Sequence, residues 1–156
     1  MTIKKKISIK NVSFGKNVTI IEPVNLYNCK IGNNCFIGPF VEIQEGSIIG
    51  DNTRIQSHSF ICSKVKIGKN CFIGHGVKFV NDKFLKNKLT KDKKKLLNTL
   101  VGSNVLIGSN STILPVAIKN NIVIGAGSVV TKDCKKKRAY IWEIQPSKKK
   151  INDFIN

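Results

Sequence analysis

Two histidines and a short run of polar residues are the side chains of this chain that could move a proton or hold a substrate. His75 lies in the stretch IGHGVKFVND, in which Asn81 and Asp82 close the segment. An imidazole can deprotonate an amine near neutral pH, because its own pKa lies in that range. A carboxylate such as Asp82 can bind an ammonium group and orient it. This stretch therefore contains residues that could take part in proton transfer or hold a charged substrate.

The same residues have structural interpretations that the sequence leaves open. His75 could make a structural hydrogen bond at a turn, and Asn81 and Asp82 could cap the start of a loop, as Asx residues often do. We expect the other histidine, His58, to be structural. A zinc site of three histidines needs one more than this chain has. We therefore expect no metal, and we take His75, Asn81 and Asp82 as the catalytic candidates.

A six-residue repeat sets the elements that must position these residues. An apolar residue opens each hexad, and glycine often follows it. A fixed short period indicates a solenoid, and three hexads, each a short strand plus a tight turn, can close a triangular coil of about 18 residues. The opening residues are Ile31, Ile37, Ile43, Ile49, Ile55, Ile61, Ile67, Ile73 and Phe79, then Val101, Ile107, Ile113, Ile118, Ile124 and Val130.

The repeat also predicts which places face inward and which form corners. The opening residue and the small residue four places later point into the core. The third and fourth places turn the corner, and Asn, Gly, Ser and Asp crowd them because corners need unusual backbone angles. Cys35 and Cys71 take the small inward place. We expect the five cysteines to be reduced core thiols of a cytoplasmic protein.

Residues one coil apart should lie on the same corner, which predicts two columns of candidate residues. One column consists of Glu45, Ser63 and Asn81 beside Asp82, extended by Pro115 and Lys132. The other consists of Ser57 and His75 beside His58, extended by Ser109 and Ala126-Gly127. The two corners lie a full triangle side apart and cannot form one site within a coil. A closed trimer can bring different corners of two subunits together, so we expect a homotrimer with its sites between subunits.

A break of 17 residues interrupts the hexads at 83–99, and it is rich in lysine from Lys83 onward. Long loops inside regular arrays are usually functional or disordered. We expect either a solvated basic excursion or an arm that walls the active site of a neighbouring subunit. The coils should span about 14–82 and 100–134, with 135–156 as a basic tail.

Composition limits the classes of partner. The chain has 156 residues, which suits one domain, and its formal net charge is +18. Such a charge requires an anionic partner but leaves nucleic acid, acidic membrane surfaces and phosphorylated cofactors open. The aromatic residues are few and no nucleic-acid-binding motif is present, so we expect no nucleic acid. No apolar run is long enough to span a membrane, and no signal peptide is evident.

The hexads together with the loop resemble the left-handed β-helix acyltransferases. Within that superfamily, the stretches Phe60 to Asp82 and Ser111 to Asp133 resemble sugar-nucleotide N-acetyltransferases. The combination of GHGVKFVND, a basic loop and IGAGSVVTKD is most similar to enzymes that acetylate the 3-amino group of a dTDP-linked 3-amino-3,6-dideoxyhexose. The family's closing G-N-P-A-[KR] motif corresponds to IQPSK at 144–148, without the glycine and asparagine.

The resemblance implies an all-β fold, a left-handed parallel β-helix of hexapeptide repeats with one extruded loop, and acetyl-CoA as cosubstrate. It implies that a nucleotide-linked amino sugar is the acceptor. The implied substrate-binding residues are Glu45, Ser63 and Lys83. The implied cofactor-binding residues are Ser109, Gly125, Ala126, Gly127, Lys132 and Lys148. The basic residues 135–138 could add charge near the CoA phosphates.

Two other functions remain open at this level, and a third is close to excluded. A hexapeptide acyltransferase could use another small acceptor. A β-helix could be a non-catalytic scaffold. A zinc β-helix of the carbonic anhydrase type would need a third histidine or a substitute ligand. No cysteine has a neighbouring base that would suit covalent catalysis, so we expect direct attack by the acceptor and no acyl-enzyme.

Overall fold

Each hexad forms one short strand and one corner, and three hexads close one coil. The structure is a computed structural model that describes residues 8–84, 88–135 and 139–140. The strands of successive coils pair in parallel and build three sheets, one on each side of a triangular prism. The fold is a left-handed parallel β-helix of hexapeptide repeats, as expected from the sequence.

The twenty strands of the described residues are two or three residues long and alternate among the three sheets in chain order. The first sheet contains β1 (Ile9–Lys10), β4 (Asn25–Tyr27), β7 (Glu42–Ile43), β10 (Phe60–Ile61), β13 (Lys78–Phe79), β16 (Thr112–Ile113) and β19 (Val129–Val130). The second contains β2 (Ser13–Phe14), β5 (Lys30–Ile31), β8 (Ile48–Ile49), β11 (Val65–Ile67), β14 (Thr99–Val101) and β17 (Ala117–Ile118). The third contains β3 (Thr19–Ile20), β6 (Phe36–Ile37), β9 (Arg54–Ile55), β12 (Phe72–Ile73), β15 (Leu106–Ile107), β18 (Val123–Ile124) and β20 (Ala139–Tyr140).

The inward-facing residues form one continuous core along the prism. Every hexad-opening residue from Ile31 to Val130 is buried. Inward hydroxyls are also buried and bond to the next coil: Ser59 Oγ donates to Gly74 O at 2.9 Å, and Thr53 Oγ1 donates to Gly68 O at 3.0 Å. In the described part of the chain, no buried side-chain nitrogen or oxygen lacks a partner. The core therefore holds polar residues where a backbone carbonyl accepts a hydrogen bond from the hydroxyl.

The five cysteines are buried and unpaired. Burial raises the pKa of the Cys62 thiol to about 12 and that of Cys29 to about 11. These thiols stay protonated near neutral pH, which makes them poor nucleophiles. The expectation that the cysteines are core residues is confirmed.

Asparagine fills the fourth hexad place along one whole edge of the prism, where the second sheet meets the third. Asn17, Asn34, Asn52, Asn70, Asn104 and Asn121 all have a positive φ between 54° and 60°. Each of the first five donates its side-chain amide to the side-chain oxygen of the next at 3.0–3.2 Å. Asparagine tolerates the left-handed backbone that this place requires. We call this row the asparagine ladder.

The loop leaves the prism without disturbing its register. It runs between β13 and β14, and Val65 still pairs with Thr99 across the 34-residue gap. Leu97 N donates to Asn81 O at 2.9 Å, so the loop returns beside its point of departure. A single 3-10 turn at Lys93–Lys95 is its regular element in the described part of the chain.

Three boundaries differ from the sequence-based expectation. Coils begin by Ile9, which pairs with Leu26, because apolar residues at 12, 18 and 20 already pack against the core. Thr99 belongs to a strand, because it is buried and aligned with Val65. Ala139–Tyr140 adds a strand to the third sheet beyond the expected end of the coils. The hexad ILPVA, residues 113–117, is one residue short, and Val101 accordingly pairs with Ile118 only 17 residues later.

We predict that Asn70→Ala lowers the free energy of unfolding by about 2 kcal/mol. Part of this is the cost of a left-handed backbone for alanine, and part is the loss of the bonds to Asn52 and Asn104. Asn70→Gly should cost about 1 kcal/mol, because glycine adopts that backbone freely. Urea unfolding at one fixed protein concentration measures both variants. An alanine variant as stable as the glycine variant would contradict the argument.

Candidate functional site

Three corners run the length of the prism and carry the candidate residues in rows. We call the corner between the first and second sheets the first corner, that between the second and third sheets the second corner, and that between the third and first sheets the third corner. The asparagine ladder is on the second corner. The candidates from sequence lie on the other two.

The third corner brings Ser57, His75, Ser109 and Ala126 into one column, as the spacing predicted. Gly76 N donates to Ser57 O at 2.9 Å, Asn110 N to His75 O at 2.8 Å, and Gly127 N to Ser109 O at 2.8 Å. The glycine before His75 allows this close stacking. A Cβ at Gly74 would lie 2.6 Å from Ser109 N. The column therefore continues on the coils after the loop, because the backbone register is the same before and after it.

His75 projects from the third corner into solvent. It is exposed, and no residue in the described ranges hydrogen-bonds to its ring. Gly76 follows it with φ +67°, a left-handed angle that glycine adopts without strain. Its ring nitrogens are thus available to a ligand on the corner surface. The structural alternative for His75 was a hydrogen bond that fixes its ring. Among the described residues, none makes such a bond.

His58 occupies a different environment one place further along its own coil. Its ring stacks on that of Phe40, with centroids 4.7 Å apart and planes inclined by 15°. Both residues have left-handed backbones, with φ 62° for His58 and 59° for Phe40. Sequence reasoning did not single out Phe40. The feature of the sequence that could have identified Phe40 is a large aromatic residue at the fourth hexad place, where asparagine or glycine is usual in this chain.

The first corner carries the other predicted column. The pairing of β7, β10, β13, β16 and β19, continued by two residues, aligns Glu45, Ser63, Asn81, Pro115 and Lys132. Asn81 Nδ2 donates to Ser63 Oγ at 2.8 Å, and Ser63 N donates to Gln44 Oε1 at 3.2 Å. The amide of Asn81 is therefore held beside Ser63, as part of a polar row along the corner.

The loop packs over this corner through its lysines. Lys93 Nζ contacts Glu45 Oε1 at 2.7 Å, and Lys64 Nζ donates to the carbonyls of Lys94 and Leu96 at 2.8 and 2.9 Å. An open depression of about 510 Å³ lies between the loop and the corner, lined by Glu45, Gly46, Ser63, Lys64, Lys93 and Lys94. Sequence reasoning missed Lys64, which stands where asparagine or glycine would suit its φ of 66°.

Asp82 holds two parts of the loop together through hydrogen bonds. Its carboxylate accepts from Phe84 N at 2.9 Å, from Thr90 N at 2.7 Å and from Thr90 Oγ1 at 3.0 Å. These hydrogen bonds, led by that of Thr90 N, hold the pKa of Asp82 below its usual value. The geometry corresponds to the capping alternative, since both carboxylate oxygens are engaged within the chain.

The residues proposed for the cofactor lie at the far end of the prism from Phe40. Ser109, Gly125, Ala126 and Gly127 continue the third corner beyond His75, and the space where a Cβ on Gly127 would lie is open to 4 Å. Lys132 is exposed on the first corner, and Lys83 is exposed at the start of the loop. Lys148 and residues 136–138 lie outside the described residues.

Within one chain the two columns remain on different corners, as the spacing predicted, so His75 and Asn81 do not meet. A second open depression, of about 410 Å³, lies on the second sheet and is bordered by Leu100, Ala117, Lys119 and Lys135 among others. It contains none of the catalytic candidates.

Two further features bear on chemistry. No group of three or more His, Cys, Asp or Glu residues in the described part of the chain could hold a metal ion. Among the same residues, no helix has the length and apolar character needed to cross a membrane.

Family models of hexapeptide repeats match more than half of the chain. The model described as bacterial transferase hexapeptide (six repeats) matches residues 28–63. The model described as hexapeptide repeat of succinyl-transferase matches 64–77 and 99–132, on either side of the loop. The chain belongs to the hexapeptide-repeat transferases. The family expected from the sequence is thereby confirmed, and the loop is an insertion between two repeat blocks of such a transferase.

This hexapeptide-repeat transferase is similar to part of a larger protein. The bifunctional protein GlmU of Buchnera aphidicola subsp. Acyrthosiphon pisum (strain Tuc7) is 32% identical over 135 residues. The match includes 80% of this chain but 29% of the relative. The chain thus spans under a third of the length of that relative.

Two solved structures are similar in fold. AntD, an N-acyltransferase from Bacillus cereus determined in complex with dTDP and Coenzyme A, superposes with a TM-score of 0.69 at 24% identity, covering 79% of this chain and 75% of that one. A maltose O-acetyltransferase from Clostridium difficile 630 superposes with a TM-score of 0.51 at 26% identity, covering 79% and 60%.

We predict that Asp82→Ala loosens the loop without unfolding the prism. The variant loses all three hydrogen bonds that Asp82 accepts, so trypsin should cleave within 88–95 several-fold faster at neutral pH. Because the pKa of Asp82 is lowered, its stabilising effect is present above the ordinary aspartate pKa and is lost as pH falls through the lowered value.

Asp51→Ala is the matched control. The pKa of Asp51 is also lowered, chiefly by the hydrogen bond that its carboxylate accepts from Asn33 N, but Asp51 lies on the second corner, away from the loop. It should leave loop cleavage unchanged. Equal cleavage of the Asp82 variant and the wild type would show that the loop is held by other contacts.

Proposed function

We propose that this chain is an acetyl-CoA-dependent N-acetyltransferase whose acceptor is the amine of a nucleotide-linked amino-deoxysugar, with a dTDP-linked 3-amino-3,6-dideoxyhexose as the first candidate. The observation that carries the proposal is the exposed, unengaged ring of His75 on the third corner, in one column with the small residues Ser109 and Gly125–Gly127. Membership of the hexapeptide-repeat transferases supports the reaction class. The fold of AntD, described with dTDP and Coenzyme A, supports the ligand class.

The surface beyond His75 suits a long, narrow cosubstrate. Gly125, Ala126 and Gly127 present backbone with little side chain, and the space beside Gly127 is open. A pantetheine arm could lie along this strip with its thioester near His75. Bound there, acetyl-CoA would supply an activated acetyl group. Lys132 and Lys135 are exposed nearby in sequence and could offer charge to its phosphates.

His75 would take the proton that the acceptor amine loses as its nitrogen bonds to the acetyl carbon and the bond to sulfur breaks. The thiolate that leaves takes up a proton, so atoms and charge balance. A neutral imidazole suits this task near pH 7. A backbone amide of the corner could stabilise the developing oxyanion. The buried, protonated cysteines support direct transfer without an acyl-enzyme.

The first corner is the candidate wall for the acceptor. Asn81, Ser63 and Glu45 form its polar row, and Lys64, Lys93 and Lys94 add positive charge beside it. Glu45 and Asp82 are carboxylates that an ammonium group could approach, although both have partners in this structure. Since this row and His75 lie on different corners, we propose that they meet between subunits of a homotrimer. The unpaired cysteines agree with a cytoplasmic site of action.

The outer face of the third sheet supports contact between copies of the chain. Phe36, Phe72, Leu106 and Val123 follow one another in register on that face, with Arg54 between the two phenylalanines. Leu106 and Val123 are each 46% exposed. This apolar row runs along the prism beside the third corner, and Phe72 lies three residues before His75, so a second copy packed on the row would approach His75.

A hydroxyl acceptor is the second candidate. The similarity in fold to a maltose O-acetyltransferase, at 26% identity, favours it. His75 could serve an alcohol equally, since a hydroxyl also loses a proton on acylation. The acceptor therefore has to be identified by assay.

We predict release of CoA thiol from acetyl-CoA only when an amino-sugar nucleotide is present, in a panel that also contains neutral sugars. His75→Ala should lower kcat/KM by more than tenfold, about 1.4 kcal/mol in transition-state stabilisation. Lys69→Ala is the matched control, because Lys69 holds the same hexad place on the second corner; it should retain wild-type activity. Turnover of neutral sugars alone would favour the hydroxyl acceptor, and no turnover at all would favour a scaffold.

We predict that sedimentation gives three chains and that inactive variants complement each other. Subunits with His75→Ala and subunits with Asn81→Ala, mixed by co-expression, should recover activity at about a quarter of the sites if each site takes one residue from each of two neighbours. The variants mixed after separate assembly are the control. Activity no higher than that of the single variants would contradict a shared site.

A further inference from the structure

Two aromatic residues hold the left-handed fourth place of consecutive coils on the third corner. Phe40 and His58 have φ of 59° and 62°. A side chain with a Cβ is disfavoured there, and the next coils of the same corner use Gly76, Asn110 and Gly127. Residues kept in a disfavoured conformation often mark a functional site. The pair needs an explanation other than backbone preference.

The pair presents a flat apolar surface to solvent. The rings lie 4.7 Å apart and nearly parallel, at 15°. Phe40 is 57% exposed, and His58, which is also exposed, stacks against one side of its ring. The backbone of His58 is itself fixed, because Lys78 Nζ donates to His58 O at 2.6 Å. A supported, exposed ring of this kind can stack with another planar ring.

Lys78 lies between this surface and His75. Its ammonium group also donates to Gly76 O at 3.1 Å, so it bridges the coil of His58 and the coil of His75. Coils are about 4.8 Å apart, which puts the coil of Phe40 about 10 Å from that of His75. Along the third corner the order is therefore a planar apolar surface, a fixed positive charge and an imidazole.

We propose that Phe40, backed by His58, is a stacking platform for the base of the nucleotide-linked acceptor, and that Lys78 faces its diphosphate. This inference rests on the proposed function. A nucleotide-linked sugar has the matching order of groups: a planar base, a dianionic diphosphate, and the sugar that carries the amine. The pentose and diphosphate span a length comparable to two coil spacings. Charge-assisted contacts suit the diphosphate, and stacking on an aromatic side chain suits a base.

Calorimetric binding tests the platform with dTDP, UDP, GDP and CDP, and with inorganic pyrophosphate as the probe that lacks a base. Phe40→Asn should weaken the best-bound nucleoside diphosphate by about fivefold to 150-fold and leave pyrophosphate unchanged. Phe40→Tyr, which keeps a ring, should bind within about twofold of wild type. Lys78→Gln should weaken both kinds of probe. Phe14→Leu, at an exposed phenylalanine of the second sheet, is the matched control and should change neither.

Stability measurements separate this role from a structural one. Asparagine suits the left-handed place, as the asparagine ladder illustrates, so Phe40→Asn should melt at or above the wild-type temperature while binding more weakly. His58→Asn should weaken nucleotide binding less than Phe40→Asn, because it removes the supporting ring and leaves the Phe40 ring in place.

Each remaining outcome is decisive. Wild-type affinity in Phe40→Asn would overturn the platform and leave the proposed function standing. A wild-type protein that binds none of the four nucleotides would overturn both the platform and the nucleotide-linked acceptor. A Phe40→Asn variant that dissociates, and regains affinity at high protein concentration, would identify the ring as a contact between copies and reject the platform.

Discussion

The backbone hydrogen bonds between successive coils are the constraint on which the structure depends. Bonds such as Gly50 N to Ile67 O and Gly68 N to Val101 O, both 2.8 Å, fix each coil on the next in one register. A coil of 17 or 18 residues fits this register, so additional residues have to leave the prism, as the loop does. The corners consequently hold side chains in rows at one coil spacing, which is a rigid support for a site.

The charge of the chain acts locally at such corners. The formal net charge is +18, and in the described residues only two ion pairs, Lys69 with Asp51 and Lys93 with Glu45, neutralise any of it. Exposed charges are screened over about 8 Å at physiological salt. The lysines that can affect a bound anion are therefore those next to it. On the first corner these are Lys64, Lys93 and Lys94, and on the third corner Lys78.

The hexad period was enough to predict the triangular coils, the core and the two columns, because inter-coil pairing converts spacing in sequence into position in space. The left hand of the coils was predicted from the family resemblance and not from the period. His75, Ser57 and Ser109 align as expected, and so do Ser63 and Asn81. The loop contacts were beyond such reasoning. Nothing periodic relates Lys64 to the carbonyls of Lys94 and Leu96, or Asp82 to Thr90. Those contacts depend on how a non-repeating segment returns to the corner.

The stack of Phe40 on His58 could be predicted only in part from the sequence. The sequence placed the two residues on one corner but did not show that their rings are in contact. Both residues stand at the fourth hexad place, 18 residues apart, and that spacing alone aligns them on one corner. Their rings could have turned to opposite sides, however, so stacking required the structure.

The three corners differ in which residue occupies the left-handed place. The second corner uses asparagine in all six described coils and gains a side-chain ladder. Asparagine or glycine is the least strained choice wherever only the turn matters. On the first corner the left-handed place is Asn28 in one coil, and Gly46 and Lys64 in the next two. The loop leaves the prism from the coil after that. The third uses Phe40, His58 and Gly76 in the three coils that lead to His75. Departures from the least strained residue thus cluster on the two corners that carry the candidate columns. The uninterrupted ladder on the second corner can stabilise the prism that holds both.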